Sequence, residues 1–366
     1  MAPDSRDGDG AEARPGVPFR LGVFTRMVDA VAPAELYARA LSLFEAADTL
    51  GFDTGWVAQH HGGKTGGMPA PLVFLGNAAA RTRRLRLATG IITLPLEQPL
   101  RLAEDAAVLD TLCGGRLELG FGTGGAEAVF PLFGREVDRR QEDYDRAFAV
   151  VRDALAGKPL APGGPPLFPA APRLAGCLWE ATFGVEGAVR AAEHGSGLLL
   201  ARTASRAAPG VDGPAEHRPL GEVQAPLVEA YLAHWRPDNG RPRIGLSRSL
   251  YVAPTRAEAI ADAAPGIRRH AEQIRQRSGL RGEPSVEDLL RRADVHIGSP
   301  ADMIESLRQD QLLPQATDLI LQVHPVDPPH EKTLRSFELL AHAVAPALGW
   351  RPAERERTGS LAAAGR

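Results

Sequence analysis

Two adjacent histidines, His60 and His61, are the strongest candidates for acid–base chemistry in this chain of 366 residues. Imidazole titrates close to neutral pH, so a histidine can donate a proton, accept one or form a hydrogen bond. The pair closes the apolar segment FDTGWVAQHH, in which Gln59 comes before it. Neighbouring strand residues point to opposite faces, so both rings can face one ligand only if the strand ends before them. One structural and one exposed histidine is the alternative.

A glycine cluster, GRLELGFGTGG, has the spacing G-x-G-x-x-G at Gly120, Gly122 and Gly125. In a dinucleotide-binding Rossmann unit these glycines would open a helix whose N-terminus faces the pyrophosphate. Here Pro131 and Gly134 would interrupt such a helix within its first turns. The backbone N–H groups of the cluster can instead hold a phosphate without that fingerprint. A simple tight turn is the alternative.

Three further polar side chains follow apolar segments. Glu180 and Thr182 lie where LWEATFGVEGA passes from a strand into a helix, an arrangement that binds anions or simply caps the helix. Arg202 follows the segment SGLLLA and could pair with a phosphate or form a surface ion pair. His324 in QVHPVD also follows a strand, and its position is compatible with a structural or a functional role.

A repeated alternation of strand and helix places these residues at equivalent points. Eight parallel β/α units in about 330 residues favour a (β/α)8 TIM barrel over an open doubly wound sheet. The active site of such a barrel forms at the carboxyl ends of its strands, where the polar residues and the glycine cluster are expected. The eight predicted strands are RLGVFTR, FDTGWVAQHH, RLRLATGIITL, RLELGFG, RLAGCLWEA, SGLLLAR, RIGLSRSLYVAP and TDLILQV.

Two stretches are predicted to be insertions in the barrel. The Pro/Gly-rich residues 157–176 lie after the fourth strand, and the same alternation resumes behind them. Residues 255–298, after the seventh strand, are helical in pattern, charged and too long for a plain connection, so they are a candidate lid. We expect one barrel domain over residues 19–350, with flexible tails at 1–18 and 351–366.

Composition argues against several classes of function. The formal net charge is −3, which does not favour a nucleic-acid or membrane partner, and no stretch of about 18 apolar residues predicts a membrane span. A cytoplasmic protein is the default expectation. A metal-dependent barrel hydrolase is a weak alternative, because the first strand does not end in an H-x-H motif or a carboxylate. We therefore expect no metal site.

Several segments together resemble the bacterial luciferase-like, flavin-dependent monooxygenases, and the chain is similar to an FMN-dependent subgroup of that family. The match runs from about residue 19 to residue 350, and the family fold is a (β/α)8 barrel, which agrees with the strand count. The segments that carry the resemblance are GFDTGWVAQHH, LATGIITLPLEQPLRLAEDAAVLDTLCGGRLELGFGTGG, LWEATFGVEGAVRAAEHGSGLLLAR and LLAHAVAPALGW.

The resemblance implies roles for residues after the second and third strands. His60 matches the family's catalytic histidine near the reactive face of the flavin. Gln59 stands where the family often has glutamate, and we expect it to line the substrate pocket with His61 and His324. A strand-three bulge in the family, often with a non-proline cis peptide, supports the isoalloxazine ring. Gly90 and Ile91 match that bulge.

The phosphate ligands of luciferase are only partly kept. An arginine, a serine and a threonine of luciferase would match Thr123, Ala181 and Gly184, so three side-chain ligands are missing. Backbone N–H groups of residues 122–125 and the side chains of Thr123, Thr182 and Arg202 are expected to substitute for them. The full set expected to hold the phosphate end is Gly122, Thr123, Gly124, Gly125, Glu180, Ala181, Thr182, Gly184 and Arg202.

The resemblance implies that reduced FMN reacts with O2 to give a C4a-peroxyflavin, which oxygenates a small organic substrate. Such an adduct needs a dry, apolar pocket. A separate NAD(P)H:flavin reductase would supply the reduced flavin, and a homodimer is expected from the family. Two alternatives stay open. One is a hydride-transferring oxidoreductase that uses the deazaflavin F420. The other is a non-catalytic flavin-binding barrel, which Gln59 and the missing phosphate ligands would favour.

Overall fold

The strands of the molecule form one parallel sheet that closes on itself. The computed structural model describes residues 18–63, 66–203, 218–278 and 283–352. Within these residues ten strands form one sheet, and eight of them close a barrel in the order β1-β2-β3-β5-β6-β7-β8-β10, with β10 pairing to both β8 and β1. The predicted (β/α)8 barrel is confirmed. The strands are β1 Arg20–Thr25, β2 Thr54–Val57, β3 Arg86–Thr89, β4 Ile92–Thr93, β5 Leu117–Gly122, β6 Leu178–Ala181, β7 Gly197–Leu200, β8 Ile244–Val252, β9 Val295–Gly298 and β10 Asp318–Gln322.

Helices surround the barrel and begin and end where local sequence signals predict. The first helix starts with Pro33, whose fixed φ suits a first helical position, and stops at Gly51, which has φ 85°. The helices are α1 Pro33–Leu50, α2 Pro71–Arg81, α3 Pro99–Leu112, α4 Arg140–Leu155, α5 Pro172–Ala175, α6 Val185–His194, α7 Leu220–His234, α8 Arg256–Arg269, α9 Ala271–Ser278, α10 Val286–Arg292, α11 Pro300–Arg308, α12 His330–Leu339 and α13 Ala345–Ala347.

The amino-terminal end of the barrel is closed by buried charges. Arg20 on β1 donates to Glu118 on β5 (2.7 Å) and to Asp318 on β10 (2.8 Å). Arg86 on β3 also donates to Glu118, and the indole N–H of Trp179 on β6 donates to the same carboxylate at 2.7 Å. These hydrogen bonds join five of the barrel strands. The charges are compensated by one another, as burial requires.

An apolar layer lies inside the barrel next to these charges. Trp56 and Trp179 pack edge to face with ring centroids 5.6 Å apart, and the layer also includes Ala88, Leu199 and Ile320. Alternate residues of a strand point inward, and each interior layer of such a barrel takes side chains from only part of the strands. This apolar layer lies in the middle of the barrel, beneath the carboxyl ends of the strands.

The insertion after β8 contains α8, α9, α10, β9 and α11, which confirms its position. The prediction that residues 255–298 are helical is wrong at its end, because Val295–Gly298 is a strand. The strand β8 is nine residues long, and its last four residues, 249–252, pair with β9. A strand that extends beyond its barrel neighbours leaves backbone groups to be paired, and β9 pairs with them.

The predicted tails fall almost entirely outside the described residues, which begin at residue 18 and end at residue 352. The domain limits at residues 19 and 350 therefore stay predictions. The insertion predicted at 157–176 connects α4 to β6 and contains the short helix α5. In the described part of the chain, the helices are all too short or too polar to cross a membrane.

Candidate active site

A cavity of about 560 Å³ opens at the carboxyl ends of the barrel strands. It lies above the apolar layer, whose Leu199 and Ile320 form part of its wall. Residues that follow β2, β3, β5, β6, β7 and β10 line it, together with Gln273 of α9 from the insertion. The cavity is therefore the place where the separate candidate segments meet.

The two adjacent histidines both line this cavity. The strand β2 ends at Val57, three residues before His60, so the alternation that would separate the two rings does not apply to them. Burial, together with the nearby charges of Arg26, His324 and His61, lowers the pKa of His60 to about 4. His60 is therefore a neutral imidazole at pH 7.

The ring of His61 packs edge-on against Phe133, with centroids 4.7 Å apart. Burial lowers its pKa, and the charge of Glu97 opposes that shift. Its Nε2 atom is buried and has no hydrogen-bond partner among the described residues. A buried polar atom without a partner is costly, so this nitrogen is well placed to bond a ligand in the cavity.

Gln59 is held by the loops around it. Its amide N–H donates to Glu97 Oε1 at 2.7 Å and to the carbonyl oxygen of Pro69 at 3.3 Å. Its Oε1 accepts from the backbone N–H of Thr93 at 2.7 Å. The amide therefore fixes the loop that carries the histidines and brings the carboxylate of Glu97 close to them. Sequence reasoning missed Glu97, although it lies in LPLEQP directly after the third strand.

The backbone bulges between β3 and β4, at Gly90 and Ile91, and both residues line the cavity. The peptide bond between them is cis, as the resemblance implied. A Cβ on Gly122 would lie 3.0 Å from Cδ1 of Ile91, so Gly122 packs beneath the isoleucine side chain. Ile91 thus presents an apolar surface to the cavity, backed by a glycine of β5.

The glycine cluster contributes its second half to the cavity. Gly124 and Gly125 line it, whereas Gly122 is buried beneath Ile91 and Thr123 does not reach the cavity. No described heavy atom outside its own neighbours lies within 4 Å of a Cβ built on Gly125. The chain continues as a 3₁₀ helix, Glu127–Phe133, and not as the α-helix of a Rossmann unit. The space beside Gly125 is open to a ligand.

The last two residues of β6 point to opposite faces of the sheet. Ala181 lines the cavity, but Glu180 points outward, where it accepts from Tyr144 Oη (2.8 Å) and bonds His194 Nδ1 (2.9 Å). Thr182 Oγ1 accepts from the backbone N–H of Gly184 at 3.1 Å, in the turn that begins α6. The structure therefore keeps Glu180, Thr182 and Gly184 away from the cavity wall. The helix-capping alternative for Thr182 is also wrong, because the N-cap of α6 is Gly184 and this helix has no side-chain cap hydrogen bond.

Two arginines and a further histidine also line the cavity. Arg26 after β1, Arg202 after β7 and His324 after β10 all line it. Burial and the charges of Arg202 and Arg26 lower the pKa of His324 to about 4, although Asp327 opposes this shift. The positive charge of the two arginines favours an anionic group, whereas Ile91 presents an apolar surface to the same cavity.

Sequence reasoning also missed Gln322, which lines the cavity beside Ser247. Its Nε2 donates to Ser247 Oγ at 3.0 Å, and its Oε1 is buried without a bonding partner in the part of the chain that the structure describes. The alternation of DLILQV could have indicated Gln322, because Ile320 and Gln322 lie on the same, inward face of β10. The cavity thus offers an apolar surface, open glycine backbone, positive charge and unsatisfied polar atoms, which fit a flat, partly anionic ligand.

Comparisons with known sequences give a consistent result. The sequence profile described as luciferase-like monooxygenase matches residues 19–313. The 4-hydroxyprotoasukamycin monooxygenase of Streptomyces nodosus subsp. asukaensis is 29% identical over 340 residues, 84% of this chain and 86% of that protein. Limonene 1,2-monooxygenase of Rhodococcus erythropolis is 28% identical over 320 residues, 84% of this chain and 80% of that protein. Protein y4wF of Sinorhizobium fredii is 39% identical over 137 residues, but these span only 37% of this chain and 40% of that protein.

Solved structures share the fold at lower identity. Monooxygenase RslO1 from Streptomyces bottropensis has a TM-score of 0.70 and 23% identity, over 90% of this chain and 100% of that one. The oxygenating constituent of 3,6-diketocamphane monooxygenase from Pseudomonas putida, solved with FMN, has a TM-score of 0.70 and 16% identity, over 90% and 98%. The F420-dependent tetrahydromethanopterin reductase of Methanopyrus kandleri has a TM-score of 0.61 and 18% identity, over 90% and 99%.

Proposed function

Because the chain belongs to the luciferase-like monooxygenase family, we propose that it uses reduced FMN and O2 to oxygenate a small organic substrate. It is an enzyme of the monooxygenase kind, since it matches two named monooxygenases over more than four-fifths of its length. The observation that carries the FMN proposal is the single cavity that joins His60, the Gly90–Ile91 bulge and the Gly124–Gly125 backbone.

The chain's own residues provide a place for each part of the cofactor. The apolar surface of Ile91 would support the flat ring system, as its packing on Gly122 keeps it in place. The backbone N–H groups beside Gly125 would bond the phosphate, and Arg202 on the same cavity would supply a positive charge. When bound and reduced, the flavin supplies the electrons with which O2 is activated.

His60 would work beside the flavin as a neutral imidazole. In that form one ring nitrogen donates a hydrogen bond and the other accepts one, so the residue can hold or move a proton in the cavity. The apolar layer below closes the inner end of the cavity to water. Exclusion of water strengthens each hydrogen bond in the cavity.

We propose two kinds of partner. A separate NAD(P)H:flavin reductase would supply reduced flavin, and the neighbour from Pseudomonas putida, described as an oxygenating constituent, supports such a division of labour. A second copy of the chain would form a homodimer, as the family resemblance implies. The substrate would be a small organic molecule held in the same cavity, beside His60 and His61.

The second candidate cofactor is the deazaflavin F420. The fold neighbour that is an F420-dependent reductase has the same barrel, so the fold alone supports both cofactors. F420 would make the enzyme a hydride-transferring oxidoreductase, and O2 would not take part. A parallel titration of the purified protein with reduced FMN and reduced F420 separates the two, and we expect FMN to bind more tightly.

Anaerobic mixing with reduced FMN, followed by O2 in a stopped-flow instrument, tests the proposal. We expect wild type to bind reduced FMN and to reoxidise it more slowly than the free cofactor, because the cavity excludes water. The variant His60→Ala should bind FMN but change the reoxidation rate by about 100-fold. His234→Ala, at the exposed end of α7, is the matched control and should behave as wild type. A wild type that leaves reduced FMN unbound and its reoxidation unchanged would overturn the proposal.

A further inference from the structure

Asp327 joins two histidines from different parts of the fold at the edge of the cavity. Its carboxylate lies 2.9 Å from Nδ1 of His324 and 3.1 Å from Nε2 of His270. The two rings pack edge to face with centroids 4.7 Å apart. The side chains of Asp327 and His324 are 7% and 9% exposed, so the hydrogen bond between them is shielded from water, whereas His270 is 26% exposed. None of the candidate residues read from the sequence included Asp327 or His270.

The hydrogen bond fixes which nitrogen of His324 carries the proton. Burial alone would raise the pKa of Asp327, but hydrogen bonds from His270 and His324 hold it well below its usual range. An ionised carboxylate only accepts hydrogen bonds, so Nδ1 of His324 must be the donor. The pKa of His324 is about 4, so at pH 7 its other nitrogen, Nε2, has no proton.

The free side of this ring faces the cavity. His324 lines the cavity, and Nε2 makes no hydrogen bond to any residue that the structure describes. The charged and titratable groups that act on His324 are Asp327, Arg202 and Arg26, with His270 against its ring. His60 lies near enough for the charge of His324 to lower its pKa. Nε2 is therefore an acceptor directed at the ligand space beside His60.

We propose that Asp327 is a positioning residue, which holds His324 so that Nε2 accepts a hydrogen bond from an O–H or N–H group of the bound ligand. His270 is the second donor to the carboxylate and ties the arrangement to the insertion. The proposal rests on the function proposed above, since the ligand is the flavin or its substrate. A carboxylate that orients a histidine through Nδ1 is a general device of histidine-containing sites.

The insertion supports this arrangement through contacts at the end of α8. His270 caps this helix, and Arg269 Nη2 donates to the backbone carbonyl of Asp327 at 3.3 Å. A Cβ on Gly266 would lie only 1.4 Å from the carbonyl oxygen of Val326, so the helix and the loop after β10 are in direct backbone contact. The orientation of His324 therefore depends on α8 being packed on this loop.

The same three side chains could be read as a metal site, because their ligand atoms lie within 4.8 Å of one another. The distances of 2.9 and 3.1 Å are those of hydrogen bonds, whereas two ligands of one tetrahedral metal ion lie about 3.3 Å apart or more. The positive charges of Arg202 and Arg26, which lower the pKa of His324, also oppose a bound cation. The geometry favours hydrogen bonding over metal binding.

Nitrogen NMR of the protein without flavin, labelled with ¹⁵N-histidine, tests the proposal directly. His324→Gln assigns the resonances of His324. In wild type at pH 7 we expect protonated Nδ1 and unprotonated Nε2 at His324. Asp327→Asn keeps the size of the side chain but removes the charge, so the Nδ1–H tautomer should lose its dominance. The titration midpoint of His324 should move lower, because the carboxylate raises its pKa.

Asp262→Asn is the matched control, because it removes the charge of another buried carboxylate, one that lies in the insertion itself. Asp262 lies on α8, accepts from Tyr251 Oη at 2.8 Å and pairs with Lys332, outside the cavity. This variant should leave the His324 tautomer and its midpoint unchanged. The same His324 spectrum in wild type and Asp327→Asn would overturn the proposal, and so would stoichiometric Zn²⁺ bound by wild type and lost in His270→Gln.

Reoxidation of bound FMN separates a failure of this inference from a failure of the proposed function. With Asp327→Asn we expect the reoxidation rate to change about tenfold or more and the Kd for FMN to stay within about twofold. If wild type binds and reoxidises FMN as proposed but Asp327→Asn equals it in rate and tautomer, only the positioning role is wrong. If wild type does not bind FMN, the proposed function fails, while the NMR result still decides the tautomer.

Discussion

Burial lowers the pKa of both His60 and His324 to about 4, so both imidazoles in the cavity are neutral at pH 7. Neutral imidazoles can pass protons without adding a fixed charge to an apolar space. The positive charge there comes from Arg26 and Arg202. The arginines can therefore bind an anionic group of the ligand, and the histidines can form hydrogen bonds with it.

Gly125 is the residue whose substitution should act on the phosphate of FMN. Because the space beside it is open to the cavity, Gly125→Val should fill the position proposed for the phosphate. Riboflavin lacks that phosphate and should be affected less. Equilibrium titrations should therefore show wild type preferring FMN over riboflavin by about tenfold or more, which corresponds to one or two charge-assisted hydrogen bonds. In Gly125→Val this preference should fall to nearly one.

Gly76→Val, on the outer helix α2, is the control for a glycine-to-valine change elsewhere and should keep the preference of wild type. Equal losses of FMN and riboflavin binding in Gly125→Val would count against a phosphate at this position. An unchanged preference would place the phosphate elsewhere on the cavity wall.

Some site residues were predictable from the sequence and others were not. Strand ends predicted His60 and His324, because parallel strands of a barrel end on the same side, and the family resemblance implied Gly90. Glu180 was misplaced, since a family match gives a position along the chain and not the face of the strand that a side chain occupies. Asp327 could not be found, because its role depends on a helix that is far away in sequence.

Among the elements, the insertion packs on the loop after β10 and contributes one residue to the cavity lining. The helix α8 packs on the loop after β10 with no side chain between them at Gly266. Gln273 of α9 reaches the cavity from the same side. The sequence predicted the insertion from its length, but β9 was not predictable. Its pairing depends on how far β8 extends beyond the barrel.

Gly266→Ala tests the packing of this insertion. The new methyl group would meet the carbonyl oxygen of Val326, so α8 or the loop must move. We expect the free energy of unfolding in urea to fall by about 1–3 kcal/mol. Gly76→Ala is the matched control. Its Cβ would lie 3.9 Å from Leu109, an ordinary contact, and its stability should stay equal or rise slightly. A Gly266→Ala protein as stable as wild type would show that the close approach is not rigid.

At the scale of the whole molecule, the alternation of strand and helix was sufficient to predict the barrel. Each of the eight predicted segments contains a barrel strand in the structure. The charged network at the amino-terminal end was not predictable. Arg20, Glu118 and Asp318 are first or second residues of strands far apart in sequence, and only closure of the barrel brings them together.

Glu118→Gln tests this network. The change leaves Arg20 and Arg86 buried with less compensating charge, so we expect a loss of about 3–5 kcal/mol in the free energy of unfolding. Glu45→Gln removes a carboxylate from the exposed pair with Arg81 and should cost less than about 1 kcal/mol. Similar small losses for both variants, measured in urea at pH 7, would show that the buried network does not stabilise the closed barrel.

A crystal structure of the protein with FMN would show where the flavin binds. We expect the ring system against Gly90 and Ile91 within reach of His60, and the phosphate at the backbone of Gly124 and Gly125. A flavin bound outside this cavity, or with its phosphate at the turn of Thr182, would contradict this expectation.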